Sequence, residues 1–332
     1  MGGLTVQCCR KPVAIRRREI VASIIGEDLA PMPVSGKFDV DAMIRYWLQA
    51  MDVEAASKPD LMVLPEICDY WRGIPEGREQ EWLDLRGNLI LHAFQEYARK
   101  HRMYIVYPTN RMISDGHNAN SSILIDRDGD VAAVYDKVYP TICELEQGVI
   151  PGTGPVVADT DFGRLGMLIC FDLNFWDLQE KMAALDPDVL AFSSYYHGDF
   201  MQQAWAHRCQ AYFLGSTVGS LGKDILGPAG EVLYQERSNC RRSITRPINT
   251  NCAVIHWGFN VQKVADARLK YGRKLDLRNS GTCGCATLLS NDPDLPVRDV
   301  LKEFEIETWR EYYARSASEC HKILDSNKIN KE

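Results

Sequence analysis

A cysteine, a glutamate and a lysine can together open an unactivated amide, and this chain places one of each directly after a short apolar run. Glu66 follows Leu61 to Leu64, Lys137 follows Val131 to Tyr135, and Cys170 follows Leu165 to Ile169. A thiol titrates at about 8.5 in water, so attack on an amide carbonyl needs a neighbouring base to take its proton. Glu66 is the candidate base. Burial raises a carboxylate's pKa and a nearby ammonium lowers it, so a Glu–Lys pair in a closed pocket holds a base near working pH. Lys137, with the Phe171 backbone N–H, is the candidate for stabilising the negative oxygen that develops on attack. Taken singly each residue also has an ordinary reading: Cys170 as core, Glu66 as a cap, Lys137 as a solvated charge.

A short, continuous apolar run predicts a strand covered on both faces, and apolar recurrence at three and four residues predicts a helix. Strands are expected at Glu19 to Ile25, Leu61 to Leu64, Met103 to Tyr107, Arg164 to Cys170, Val189 to Ser194 and Cys252 to Trp257. Helices are expected from Val40 to about Ala56, with Met43, Ile44, Trp47 and Met51 at helical spacing, and over Trp82 to Lys100, Phe175 to Leu185, Met201 to Phe213 and Val261 to Tyr271. Ser121 to Asp126 and Val131 to Tyr135 read as a hairpin around Arg127-Asp128-Gly129, and Ile225 to Gln235 as another around Pro228-Ala229-Gly230. Leu295 to Leu324 is mostly amphipathic helix. Strands alternating with helices predict an α/β fold, in which ligands bind at the carboxyl ends of strands. All three reactive residues stand at such ends. With no low-complexity linker and no internal repeat, the expected organisation is a flexible tail over 1–18, one α/β domain over 19–290 and a helical extension over 291–332.

Over 332 residues the apolar share is 45% and the charged share 25%, ordinary values for a globular chain with a large core. A net charge of −7 leaves no basic footprint for nucleic acid, and no apolar run reaches the roughly 18 residues that span a bilayer. The eleven cysteines are a small fraction of a long chain with no apolar signal segment at its start, so reduced thiols and a cytoplasmic location are expected. In the tail, Gly2 is followed by Val6 where a myristoylation signal needs Ser or Thr, and acylation of Cys8 or Cys9 is the alternative membrane reading.

Read together and in order, Leu64-Pro65-Glu66, Tyr135-Asp136-Lys137-Val138-Tyr139-Pro140-Thr141 and Gly163-Arg164-Leu165-Gly166-Met167-Leu168-Ile169-Cys170-Phe171-Asp172 resemble the nitrilase, or carbon–nitrogen hydrolase, superfamily. The segment Asp224 to Leu233 resembles that family's late hairpin, so the likeness runs roughly from Glu19 to Val264. The resemblance implies a four-layer αββα sandwich, a catalytic triad of Glu66, Lys137 and Cys170, and a second glutamate after the lysine. Glu144 keeps the nitrilase-like interval, and Glu146 competes with it. Cys170-Phe171-Asp172 is similar to the amidase and carbamoyl-amidase branches, whereas many nitrile-cleaving members have Cys-Trp-Glu. Those branches often continue with Arg and Pro, where this chain has Asn174 and Trp176, so no named substrate is carried over.

The activity this implies is hydrolysis of a non-peptide carbon–nitrogen bond in a small amide or N-carbamoyl substrate through a cysteine thioester, releasing ammonia or an amine. No metal or cofactor is expected, and a homodimer or larger homo-oligomer is. Alternatives are an acyl transferase using the same thioester, nitrile hydrolysis, and a catalytically silent binding subunit. Candidate substrate-binding residues are Phe171, Tyr70, Trp71, Asn174, Tyr195 and Tyr196, with ordinary packing at a subunit contact as the competing explanation. His197 and His207 raise a Cys–His pair, though a histidine beside a helix start is more often structural. Cys283-Gly284-Cys285 and Cys8-Cys9 lack the second ligand pair of a structural zinc site.

Overall fold

Parallel strands buried on both faces need near-continuous apolar sequence, and the runs identified above supply it to two sheets of a computed structural model. The structure describes residues 18–114, 117–237, 243–278 and 283–329, so the expected tail, except for Arg18, lies outside the described residues. The chain divides into one compact unit ending at Thr250 and a second from Asn251.

The first half of the first unit runs β1 (Glu19–Ile25), α1 (Val40–Ala55), β2 (Leu61–Val63), α2 (Glu79–Arg86), α3 (Leu89–His101), β3 (Tyr104–Ser114), β4 (His117–Ile125) and β5 (Val131–Asp136). After α4 (Ile142–Glu146) come β6 (Val157–Thr160), β7 (Gly163–Ile169), α5 (Trp176–Ala184), β8 (Val189–Ser194), α6 (Phe200–Cys209), β9 (Tyr212–Thr217), β10 (Lys223–Leu226), β11 (Val232–Glu236) and β12 (Ser243–Asn249). One sheet has the order β12-β1-β2-β3-β4-β5 and the other β11-β10-β9-β8-β7-β6. β1, β2 and β3 pair in parallel, as do β7, β8 and β9.

Helices cover the outer face of each sheet. Met43, Trp47 and Met51 of α1 and Ile90 and Phe94 of α3 pack on Met62, Ile105 and Ile123. Leu178 and Met182 of α5 and Trp205 of α6 pack on Leu168, Leu190 and Phe213. Each such large side chain contributes about 1.5–3 kcal/mol on leaving water. The sheets meet through their inner faces, where Ser193 Oγ donates to Leu64 O at 2.7 Å and Ser216 Oγ to Ile25 O at 2.5 Å. The four layers are therefore α, β, β, α, as expected.

Several boundaries differ from the sequence reading. The helix expected over Trp82 to Lys100 is two, because Gly87 at φ +42 ends α2. The helix expected to reach Phe213 stops at Cys209, where Gln210 turns left-handed and Tyr212 opens β9. β12 was hidden by Pro247, which an edge strand tolerates.

In the second unit, β13 (Cys252–His256), α7 (Trp257–Tyr271), β14 (Leu275–Arg278), β15 (Cys285–Ser290), α8 (Val297–Glu303) and α9 (Trp309–Ile329) follow one another. A sheet ordered β13-β15-β14 and a core of Ile255, Val264, Leu288, Val300 and Ile306 belong to this unit alone. The division thus falls at Thr250 rather than at the expected 290, because β13 to β15 pair with each other and share a core with α8. The C-terminal helix is interrupted between α8 and α9, with Glu305 at φ +51. Among the described residues no helix is long and apolar enough to cross a membrane.

Candidate active site

The carboxyl ends of β2 and β7 are brought together by β8. Ile169 of β7 is in register with Ser193 of β8, and Ser193 reaches Leu64, the residue directly after β2, across the sheets. Beyond β2 the chain passes Glu66 and turns at Ile67 with φ +36, a conformation that costs a β-branched residue energy and persists only where the surroundings enforce it. Beyond β7, Cys170 takes φ +46 and opens the 3-10 turn Cys170–Asn174. Lys137 directly follows β5, its backbone N–H donating to Asn120 O and its carbonyl accepting from Gly152 N–H, each at 2.8 Å.

These segments deliver a buried cluster. Lys137 Nζ donates to Glu66 Oε1 at 3.0 Å and to Glu144 Oε2 at 2.8 Å and Oε1 at 3.0 Å. Asn120 Nδ2 bridges the two carboxylates, 2.8 Å from Glu66 Oε1 and 2.8 Å from Glu144 Oε1. Tyr195 N–H donates to Glu66 Oε2 at 3.0 Å. Glu144 is aimed by a capping box, in which Thr141 N–H donates to its Oε2 at 2.7 Å while Thr141 Oγ1 accepts from its backbone N–H. Glu144, and not the exposed Glu146, reaches Lys137.

The electrostatics follow from that packing. For Lys137, burial opposes the charge, but Glu66, Cys170 and Glu144 outweigh it and hold the ammonium well above the usual lysine range. Burial works against the Glu144 charge too, and Lys137 with Asn120 still keeps that carboxyl below its ordinary value. The Cys170 thiol goes the other way: desolvation and then Glu66 push it up to about 12, against Lys137, Ser194 and the Tyr195 N–H. Burial and the neighbouring Glu66 thus favour the protonated form of the thiol.

The turn carrying the thiol is fixed by Asp172, which is fully buried. Its Oδ2 accepts from Tyr135 O–H at 2.6 Å and Ile169 N–H at 3.1 Å, and its Oδ1 from Tyr139 N–H at 2.8 Å. Burial first, against these donors, raises its pKa to about 6. Asn120 and Asp172 were not assigned roles from sequence. The available signal was polar residues at the rims of apolar runs, which marks a buried partner without naming it.

The pocket candidates separate by position. Asn174 Nδ2 donates to Tyr196 O–H at 2.9 Å and to Phe171 O at 3.1 Å, and the Phe171 ring meets Phe175, which stacks on Tyr139 at 3.6 Å. The Tyr196 phenol is pushed up to about 12 by burial and then by Cys170, which places it in the field of the thiol. Burial and then Glu66 raise the Tyr195 phenol. Tyr70 instead donates to Glu79 Oε1 at 3.3 Å, and Trp71, 2% exposed, packs edge-on against Trp82 in the core. His197 Nε2 lies 3.0 Å from Asp224 Oδ2 and His207 Nδ1 3.2 Å from Ala229 O. Cys283 is exposed and Cys285 is buried in β15.

Comparison with known proteins matches this chain to a family. The carbon-nitrogen hydrolase family model matches residues 23–217, which include Glu66, Lys137, Glu144 and Cys170. Deaminated glutathione amidase of Yersinia enterocolitica is 30% identical over 109 residues, 29% of this chain and 38% of that protein. Its Dictyostelium discoideum counterpart is 25% identical over 216 residues, 55% of this chain and 74% of that protein. The chain thus spans only part of the length of these relatives. An amidase from Nesterenkonia sp. shares the fold with a TM-score of 0.61 at 17% identity, over 71% of this chain and 93% of that one. With a family model matching more than half of its residues, this chain belongs to the carbon–nitrogen hydrolase family.

Proposed function

We propose that this protein hydrolyses a non-peptide carbon–nitrogen bond of a small amide or N-carbamoyl compound, with Cys170 as nucleophile. The observation that carries the reading is the buried Lys137 ammonium held between Glu66 and Glu144, with Asn120 bridging the two carboxylates, at the strand ends where Cys170 also stands. Glu66 takes the thiol proton as sulfur bonds to the carbonyl carbon. Lys137 Nζ meets three carboxylate oxygens, two of them on Glu144 where one N–H can serve both, and its remaining N–H is the proposed donor to the developing oxyanion, with the Phe171 N–H as second donor. Glu66 then protonates the departing nitrogen as the carbon–nitrogen bond breaks, leaving a thioester. In the second half it takes a proton from water, the hydroxide adds to the thioester carbon, and the acid leaves as the thiol is reprotonated. Glu144 keeps Lys137 charged and in place.

Asn174 and Phe171, on the turn that begins at Cys170, and Tyr196, which accepts from Asn174, are the proposed substrate contacts; Tyr195 contributes its backbone N–H to Glu66, and Tyr70 and Trp71 are assigned to packing around the site rather than to substrate contact. Its relatives' name as amidases supports amide over nitrile cleavage. A reduced, cytoplasmic setting and a homo-oligomer complete the proposal. The test is ammonia release from a panel of primary amides and N-carbamoyl compounds by wild type and Cys170→Ala, with intact-mass trapping of the acyl group at low temperature. Turnover in wild type, none in Cys170→Ala and an acyl mass on Cys170 are expected. Unchanged turnover in Cys170→Ala, or an adduct on another cysteine, overturns the proposal.

A further inference from the structure

Behind Glu66 lies a second buried polar cluster that the proposed chemistry leaves unused. Asp69 is 2% exposed and Arg86, at the end of α2, is 6% exposed. Arg86 Nε lies 3.2 Å from Asp69 Oδ2, and the same oxygen accepts from Tyr107 O–H at 2.5 Å and Thr109 O–H at 2.9 Å. Arg86 also donates to the backbone carbonyls of Gly87 and Asn110. The backbone around Asp69 is held as firmly: Trp82 Nε1 donates to Asp69 O at 2.9 Å, and Cys68 N–H to Pro108 O at 3.2 Å. The ties of Cys68 and Asp69 join these residues to α2 and β3, and they begin one residue beyond the left-handed Ile67 that follows Glu66.

A buried ion pair is a weak source of stability, because apolar residues of similar volume pack as well without the desolvation cost. What such a pair supplies is a defined geometry. Here one carboxylate oxygen accepts two hydrogen bonds from β3 and faces the Arg86 guanidinium of α2, so the loop can seat in one register only, and Ile67 must take its strained turn to satisfy it. We propose, building on the reading of Glu66 as the base, that Asp69 and Arg86 are a positioning pair: their network holds the Glu66 carboxylate where it meets the thiol. Neither side chain touches the reacting atoms. A cavity of about 220 Å³ lined by Arg86, Tyr107 and Thr109 borders the network, which gives room for an unbranched apolar side chain in place of the guanidinium.

The experiment compares wild type, Glu66→Gln, Asp69→Asn/Arg86→Met and Thr109→Val by two readouts: alkylation of Cys170 by iodoacetamide across pH, located by mass spectrometry, and kcat and KM on an amide that wild type turns over. The paired substitution removes both charges together, so neither is left buried alone. It should fold, alkylate Cys170 about 10- to 100-fold more slowly with a displaced pH midpoint, and lose kcat by a similar factor at little-changed KM. Thr109→Val should shift both readouts in the same direction by less, and it keeps the test decisive if the paired variant does not fold. Wild-type alkylation rate and pH profile in a folded variant, with Glu66→Gln slow, overturn the positioning role and leave Glu66 as base. Equal alkylation of wild type and Glu66→Gln instead overturns the role of Glu66, and the positioning pair with it.

Discussion

Asp172 is a buried carboxyl that fixes the turn carrying the Cys170 thiol. Desolvation outweighs its three donors and lifts its pKa to about 6, against about 3.9 in an unfolded chain. A carboxyl raised on folding binds its proton more tightly in the native state, so its stabilising contribution is complete below about pH 4 and lost as pH rises through about 6. Activity should run in the opposite sense, because protonation removes an acceptor from the turn that presents Cys170. We expect kcat to fall with a midpoint of about 6 on acidification, and Asp172→Asn to be at least about tenfold slower and flat through that region. Initial rates at saturating amide check this; a wild-type acid limb in the Asn variant would assign the limb to another group. The role of Asp172 could be read from type and place only in part, since Cys170-Phe171-Asp172 marked a motif but not the Tyr135, Tyr139 and Ile169 donors that fix it.

At the scale of elements, the loop that returns over β5 is what keeps Lys137 seated. Gly152 N–H donates to Lys137 O at 2.8 Å, and a Cβ built at Gly152 would lie 2.1 Å from Asp136 O. Because that neighbour is backbone, a side chain there forces β5 or the loop to move, and the lysine moves with it. Gly152→Ala should lower stability by about 1–3 kcal/mol and reduce kcat more than it raises KM, as measured by denaturant melts and steady-state kinetics. A melt and kinetics equal to wild type would show that the loop does not govern Lys137. Elements carried by strong local patterns were legible in advance: β1 over Glu19–Ile25 and α1 over Val40–Ala55 fall where the apolar spacing put them. The break at Gly87 and the edge strand β12 were not, because a helix interruption and an edge pairing depend on what packs alongside.

For the whole molecule, the first unit repeats one design twice. In each sheet three parallel strands continue into two antiparallel ones, and one further antiparallel strand closes the other side, yet no repeat is visible in the residues. The second unit ends in α9, where residues 317–326 are all exposed, including Ile323 and Leu324. Removing everything after Ser316 should therefore shift the melting temperature by less than about 2 °C, as scanning calorimetry would read. A larger fall, or a smaller particle in light scattering, would mean that another surface covers this helix in solution. Residue types and local spacing by themselves determined the strand and helix periodicities, the candidate residues Glu66, Lys137 and Cys170, and the family they resemble, because each is a property of a few consecutive residues. Only the tertiary structure decided that Glu144 rather than Glu146 faces Lys137, that Asn120 bridges two carboxylates, that Asp69 pairs with Arg86, and that the chain divides at Thr250. Those facts rest on register between strands far apart in the chain and on which polar groups burial forces together, and neither is written in any one segment.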